Sequence, residues 1–275
     1  MTAILGAEAL AGLRLSGRPR RLVPLVLGYE VIAEAVSVSA GSSFRYLLEP
    51  VTAAAVVFDE GWMLFDGGFD PQRIHDHDTR VATFDYKNYT PVVPTVDPLA
   101  EQVAEAGLSF AGLAAAAISH AHFDHTGAVR LLGPAQPLIL QRREWEHVRT
   151  LDDPRAAFVL PDEFDRDDLT VLLLDGDAEL APGVRAVDTR GHTPGHQSFA
   201  IELAERTVVL ACDAADLRAN IDEARPCGST VGADGPALAA AAITRLRAWD
   251  AEPGVEVWPG HDPEWAPWRA VIDAR

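Results

Sequence analysis

Short apolar runs separated by turn residues dominate the chain from residue 51 onward. Their length and β-branched content predict strands over 51–58 and 62–65. Asp59-Glu60-Gly61 between them closes a hairpin, and Asp66-Gly67-Gly68 beyond the second run lets the backbone turn sharply or approach something closely. Upstream, only 22–27 reads as a strand, behind the basic cluster Arg18, Arg20 and Arg21, and the rest of residues 1–50 carries no assignable pattern. Residues 69–97 show no sustained period. Pro71, Pro91 and Pro94 interrupt them and Phe84, Tyr86 and Tyr89 punctuate them, so the expectation is one long loop of the kind that serves as a lid.

Beyond this stretch the signals return. Asp97 as N-cap, Pro98 at the first helical position and Gly107 as terminator predict a helix over 98–107. Strands are predicted over 113–119, 137–141, 171–174, 184–189, 197–203, 207–211 and 255–258, and helices over 126–132, 142–150 and 237–249. No linker and no internal repeat divides the chain, so 1–275 reads as one α/β domain.

Composition narrows the function classes. Of 275 residues, 48% are hydrophobic and 23% charged, which excludes disorder as a description of the whole chain. Forty-one acidic residues against 23 basic ones give a net charge of −18, too negative for a nucleic-acid backbone or an anionic membrane to be the partner. The expected partner is a small-molecule substrate, with a homodimer the one protein assembly allowed for. The N-terminus has no basic residue before Arg14 and no apolar core with a cleavage site, so no signal peptide is expected. The longest uncharged stretch, 107–123, is short for a membrane span and contains His120 and His122. Two cysteines, Cys212 and Cys227, form no disulfide framework and suit a cytoplasmic location; Cys212 fits core packing.

The nine histidines are not scattered. His120-Ala121-His122-Phe123-Asp124-His125 follows a predicted strand directly, and the period of two puts His120 and His122 on one side before the turn brings Asp124 and His125 back. A lone histidine is usually an ordinary polar side chain, but four imidazole or carboxylate groups in six residues suit Zn²⁺ or a neighbouring divalent ion such as Fe, Mn or Co. His192 lies just beyond the predicted strand 184–189, Asp213 beyond 207–211 and His261 beyond 255–258. Several strand ends thus offer ligands to one locus. His75 and His77, with no strand before them, and His147 in a helix read as surface residues.

His120-Ala-His122-Phe-Asp124-His125, with His192, Asp213 and His261 following in that order, resembles the metallo-β-lactamase superfamily, over about 51–261. Within it, Ser119-His-Ala-His-Phe-Asp-His-Thr-Gly127, Leu140-Gln-Arg-Arg-Glu144 and Gly191-His-Thr-Pro-Gly-His-Gln-Ser198 are most similar to N-acyl homoserine lactonases. The resemblance implies an αββα sandwich of two mixed β-sheets flanked by helices. It implies one metal held by His120, His122 and His192, a second by Asp124, His125 and His261, and Asp213 bridging them together with a hydroxide that opens a lactone ring. Asp124 would pass the proton to the leaving alkoxide. Asp66 and His196 would stand behind the ligands.

Two alternatives accompany this reading: another ester, thioester or phosphodiester hydrolase of the same superfamily, and a non-catalytic metal-binding member. The full set of ligand positions favours a hydrolase. One departure bears on the substrate. In acyl homoserine lactonases the third residue after the bridging Asp is commonly a Tyr that donates to the substrate; here it is Asp216, which cannot donate when ionised. Tyr29, Tyr86 or Tyr89 would have to replace it; otherwise Asp216 binds a cationic or hydroxyl-bearing substrate group, or the metals of a weak lactonase work alone, and these last two outcomes are favoured over a replacement tyrosine.

Overall fold

In the computed structural model, which describes residues 2–84, 89–265 and 272–273, two β-sheets pack face to face. The first is built from β1 (Ala3–Leu5), β2 (Arg21–Ala33), β3 (Tyr46–Val57), β4 (Trp62–Phe65), β5 (Thr90–Val92), β6 (Leu113–Ala117), β7 (Leu138–Gln141) and β8 (Thr170–Leu174). The second contains β9 (Ala178–Ala181), β10 (Val184–Asp188), β11 (Gln197–Glu202), β12 (Thr207–Cys212) and β13 (Val255–Pro259), while β14 (Ile272–Asp273) returns to the first. The strand order is β1-β8-β7-β6-β4-β3-β2-β14, with β5 on β2, and β13-β12-β11-β10-β9.

The layers follow from which faces are apolar. Met63, Phe65, Ala115, Ala117, Ile139 and Leu172 of the first sheet meet Val184, Phe199, Ile201 and Val208 of the second. Phe65 and Phe199 stack across the layers with ring centroids 4.7 Å apart. The outer face of the first sheet takes α4 (Pro98–Glu105) through Leu99 and Val103, and α5 (Arg142–Arg149) through Trp145 and Val148. The outer face of the second is covered by Ala242, Ile243 and Leu246 of α7 (Gly235–Asp250). This is the expected αββα sandwich. The run Leu113-Ala-Ala-Ala-Ala117, helical by intrinsic propensity, is a strand because both its faces are covered and only small side chains fit between the layers.

The hairpin of β3 and β4 forms as predicted, with Val57 opposite Trp62. Three expectations are corrected. The strand predicted over 22–27 runs on to Ala33, paired with β3 as far as Tyr46, so the N-terminal fifty residues supply one long strand of the main sheet and the start of the next. Residues 69–97 are not one long loop. They contain α2 (Pro71–His75), α3 (His77–Thr83) and β5, and the helices start where Asp70 and Asp76 accept hydrogen bonds from Gln72 N and Thr79 N. Those two caps were readable, but each helix is too short to show a hydrophobic period. The predicted helix over 126–132 is a 3₁₀ turn, Gly127–Leu131. The short helices α1 (Glu34–Ser37) and α6 (Arg218–Asp222), as well as β9, escaped prediction. No described helix is long and apolar enough to cross a membrane.

Candidate metal centre

Strand direction gathers the ligands. β4, β6 and β7 run parallel, as do β12 and β13, so the residues after each emerge at one edge of the sandwich. The turn from β10 to the antiparallel β11 opens at that edge too, held by the hydrogen bond from Gln197 N to Ser119 O. Asp66, the segment 119–125, Glu144, the segment 189–196, Asp213 and His261 therefore converge, although up to 195 positions separate them in sequence (66 to 261).

One ligand atom from each of His120, His122, His192 and Asp213 lies within 4.8 Å of the others, and the same holds for Asp124, His125 and His261. Asp213 faces both groups. Its Oδ2 is 3.3 Å from His192 Nε2 and 3.6 Å from His120 Nε2, while its Oδ1 is 3.0 Å from His261 Nε2 and 3.2 Å from His125 Nε2. Asp124 Oδ2 lies 3.1 Å from His125 Nε2. The seven side chains singled out in the sequence are thus one cluster, nearly all of it buried.

The outer ring nitrogens are already committed. His125 Nδ1–H donates to Asp66 Oδ2 at 3.0 Å, His261 Nδ1–H to Pro50 O at 2.9 Å and His192 Nδ1–H to Ser229 O at 3.1 Å. A carbonyl can only accept, so these contacts fix the tautomer and leave each Nε2 lone pair turned inward. His120 Nε2 and His125 Nε2 are buried and out of line for any hydrogen bond, although carboxylate oxygens stand near. Buried orphan acceptors cost free energy unless something fills the space between them.

Electrostatics point the same way. Burial lowers His120 well below the usual imidazole range, lowers His122 to about 3 and lowers His192, so these rings are neutral donors. Burial alone would also lower His125 and His261, but carboxylates beside them raise both well above that range: Asp124 and Asp213 at His125, Asp213 and Glu30 at His261. The negative charge gathered in this half calls for positive charge at the ring nitrogens. Neutral imidazoles, paired carboxylates and inward-facing orphan nitrogens are a donor set that fits two divalent cations.

Asp66 sits where the sequence placed it. It adopts φ 58° at the end of β4, and besides His125 it accepts from Ser119 N at 2.6 Å. His196 stays outside the cluster: its Nδ1 pairs with Thr189 Oγ1 at 3.0 Å, and burial lowers it to about 3. His75 and His77 are exposed, as expected. Of the tyrosines, Tyr86 lies outside the described residues, Tyr29 sits on the β2 edge pairing with β5, and Tyr89 is buried beside the centre.

A cavity of about 340 Å³ opens onto the cluster, lined by His122, Asp124, His192 and Asp213 together with Tyr89, Glu30, Asp216, Phe123, Phe158 and Ile32. Asp216 does not turn to solvent. Burial and the Asp213 charge raise its carboxyl well above the usual range.

Two glutamates were not foreseen. Glu30, pushed up to about 8 by burial and the nearby Asp124 charge, and Glu49, pushed up to about 7 by burial, face each other across β2 and β3 behind His261. The missed signal was the apolar alternation that continues past residue 27.

Glu144 ties the ligand loops together. It is completely buried and accepts from Ala121 N at 2.9 Å, between His120 and His122, and from Thr193 Oγ1 at 2.8 Å and Gly195 N at 2.9 Å, between His192 and His196. Gly195 is required there, since a Cβ would lie 2.3 Å from Glu144 N. Replacing Glu144 by Ala orphans three buried donors, at about 1–3 kcal/mol each. Metal affinity should fall about 10–100-fold. Glu144→Gln, which keeps one acceptor oxygen, should restore part of it. Competition against a chelator, with thermal melts of all three proteins, measures both effects; unchanged metal affinity in Glu144→Ala would remove this role.

The fold and the site together define a class: αββα hydrolases built around a pair of divalent cations at one edge of the sandwich. The chain belongs to the metallo-beta-lactamase superfamily, whose profile matches residues 47–273. It is 30% identical to an N-acyl homoserine lactonase of Bacillus cereus over 216 residues, covering 78% of this chain and 82% of that protein. It is 29% identical to an N-acyl homoserine lactonase of Bacillus thuringiensis over 227 residues, covering 82% and 86%. A solved N-acyl homoserine lactone hydrolase, with the product N-hexanoyl-L-homoserine bound at its catalytic metal centre, matches with TM-score 0.80 and 25% identity. That match covers 93% of this chain and all of the other.

Proposed function

We propose that this protein is a dinuclear metal hydrolase that opens lactone rings, with N-acyl homoserine lactones as its substrate class. The observation that carries this is Asp213, whose two oxygens face the two halves of the cluster at the floor of a ligand-sized cavity. The relatives' names support the substrate class.

His120, His122 and His192 would hold one cation and Asp124, His125 and His261 the other, with Asp213 shared. When bound, the pair, zinc being the ion this donor set suits best, would acidify a water and polarise the substrate carbonyl. The chain does the rest. Asp66, Pro50 and Ser229 hold three of the rings in register through their outer nitrogens. Asp124, on the cavity wall, carries a proton to the departing ring oxygen, which would otherwise leave as an alkoxide. Tyr89, whose hydroxyl is buried without a hydrogen-bond partner, donates to a substrate oxygen in place of the tyrosine that Asp216 replaces. Phe123, Phe158 and Ile32 keep the ring out of bulk water. A cytoplasmic location belongs to the same proposal, supported by the two unpaired cysteines.

Protein purified without chelator should carry about two equivalents of divalent metal per chain and hydrolyse acyl homoserine lactones in preference to thioesters and phosphodiesters. Elemental analysis and a parallel rate screen measure both. One equivalent or less in folded protein ends the dinuclear reading, and a phosphodiester preference ends the lactone reading.

A further inference from the structure

The cavity wall carries more acceptor groups than a simple acyl homoserine lactone can satisfy. Glu30 and Asp216 both line it, each 5% exposed, and neither belongs to the seven-residue cluster. Asp216 Oδ1 is buried with no hydrogen-bond partner. Independently, the Tyr89 hydroxyl is also buried and unpartnered, beside Glu30. Glu30 Oε1 comes within 3.6 Å of His261 Nδ1, yet that nitrogen's proton goes to Pro50 O, so Glu30 is not spent on the ring. Asp216 abuts the same histidine through its backbone, accepting from His261 N at 2.8 Å. The two carboxyl groups therefore flank one side of the centre. Beyond them the cavity turns apolar: Ile32 shares a face of β2 with Glu30, two residues on, and Val36 and Phe158 complete that end. Among the described residues, no lysine, arginine, asparagine or glutamine lines the cavity.

We propose that Glu30 and Asp216 form a polar recognition wall between the metal centre and the apolar end, and that it selects lactones whose acyl chain carries a hydroxyl close to the amide. This inference rests on the lactonase reading above. An unsubstituted chain offers methylenes to two buried carboxyl groups and strips their water without replacing it. A hydroxyl donates to an ionised carboxyl and can also accept from a neutral one, so it satisfies the wall in either protonation state. The amide N–H of the substrate is a single donor and cannot serve both groups. The hydroxyl class also gives the Tyr-to-Asp departure at position 216 a use: with Tyr89 as the protein's donor, position 216 is free to offer an acceptor to a donor on the substrate.

The test compares kcat/KM for N-octanoyl- and N-(3-hydroxyoctanoyl)-L-homoserine lactone in the metal-loaded wild type, Glu30→Gln and Asp216→Asn. Wild type should favour the hydroxylated substrate about tenfold, the size of one buried hydrogen bond. Each variant should bring that ratio toward one. A wild-type ratio near one, or a preference unchanged in both variants, overturns the proposal. Binding of the two corresponding non-hydrolysable lactams, followed by calorimetry, separates this inference from the reading beneath it. If neither lactone is turned over but the hydroxylated lactam binds about tenfold tighter, the wall stands and lactone hydrolysis falls. If the lactams bind equally, the wall falls.

Discussion

Asp213→Ala is expected to lose metal and turnover together. The Asp213 carboxylate lies within 3.6 Å of histidines from both halves of the cluster, contacting His120, His125, His192 and His261. Its carboxyl is held well below the usual range: burial pushes it up, but the His125, His261 and His120 rings around it outweigh that. Removing it leaves these four imidazoles without the carboxylate they share, and leaves Asp124 as the one carboxylate of the seven-residue cluster. Cation binding at both halves should weaken, and kcat/KM should fall by ~10³-fold or more, as expected when several kcal/mol of charge stabilisation disappear. Elemental analysis reads metal content independently of activity. Full retention of two equivalents in Asp213→Ala would show that the halves bind separately, and the shared-carboxylate arrangement would be abandoned.

Asp124→Asn should separate binding from turnover. Asn preserves the size of the side chain and one carbonyl oxygen toward the His125 side, where Asp124 Oδ2 now lies 3.1 Å from Nε2. It cannot pick up and release a proton. If Asp124 protonates the leaving oxygen, kcat should drop by ~10²–10⁴-fold. Metal content should stay much closer to wild type than in Asp213→Ala. A lactone with a more acidic leaving alcohol needs less help at that oxygen, so the variant should lose less on it. Equal losses on good and poor leaving groups would move the proton-transfer role elsewhere.

Much of this site was legible because its signals are local. His120 to His125 is one turn of chain after one strand, and the period of two is enough to put its side chains together. The Asp-Pro start of α4 and the Asp-Glu-Gly hairpin between β3 and β4 are equally local and formed as predicted. That His192, Asp213 and His261 join the cluster was suggested by their places just beyond strand ends, and their division between two cations came only through the resemblance. Physically it depends on β12 and β13 lying parallel and on β10 turning back into β11, which are pairing decisions made between distant segments.

What failed to show in the sequence is instructive about why. Glu30 and Glu49 are unremarkable singly; their meaning comes from the β2–β3 register that sets them opposite each other behind His261. Glu144 reads as an ordinary charged residue on a helix, yet it is buried because α5 packs its first turn between two ligand loops, and the backbone N–H groups there need an acceptor. The segment holding Tyr89 looked structureless because α2 and α3 span 5 and 7 residues, less than the length over which an amphipathic period can be recognised.

The sequence by itself determined the chemistry available: which imidazoles and carboxylates exist, that four strand ends carry them, and that the net charge is −18. Tertiary structure decided how that chemistry is divided and aimed. Only the folded sandwich turns the two oxygens of Asp213 to opposite halves, commits the outer nitrogens of His125, His192 and His261 to Asp66, Ser229 and Pro50, and points Glu30 and Asp216 into one cavity. The reason is range. Periodicity and capping act over a few residues along the chain, whereas ring orientation, burial and the sharing of one carboxylate are fixed by contacts between residues that only sheet pairing and layer packing bring within hydrogen-bonding distance.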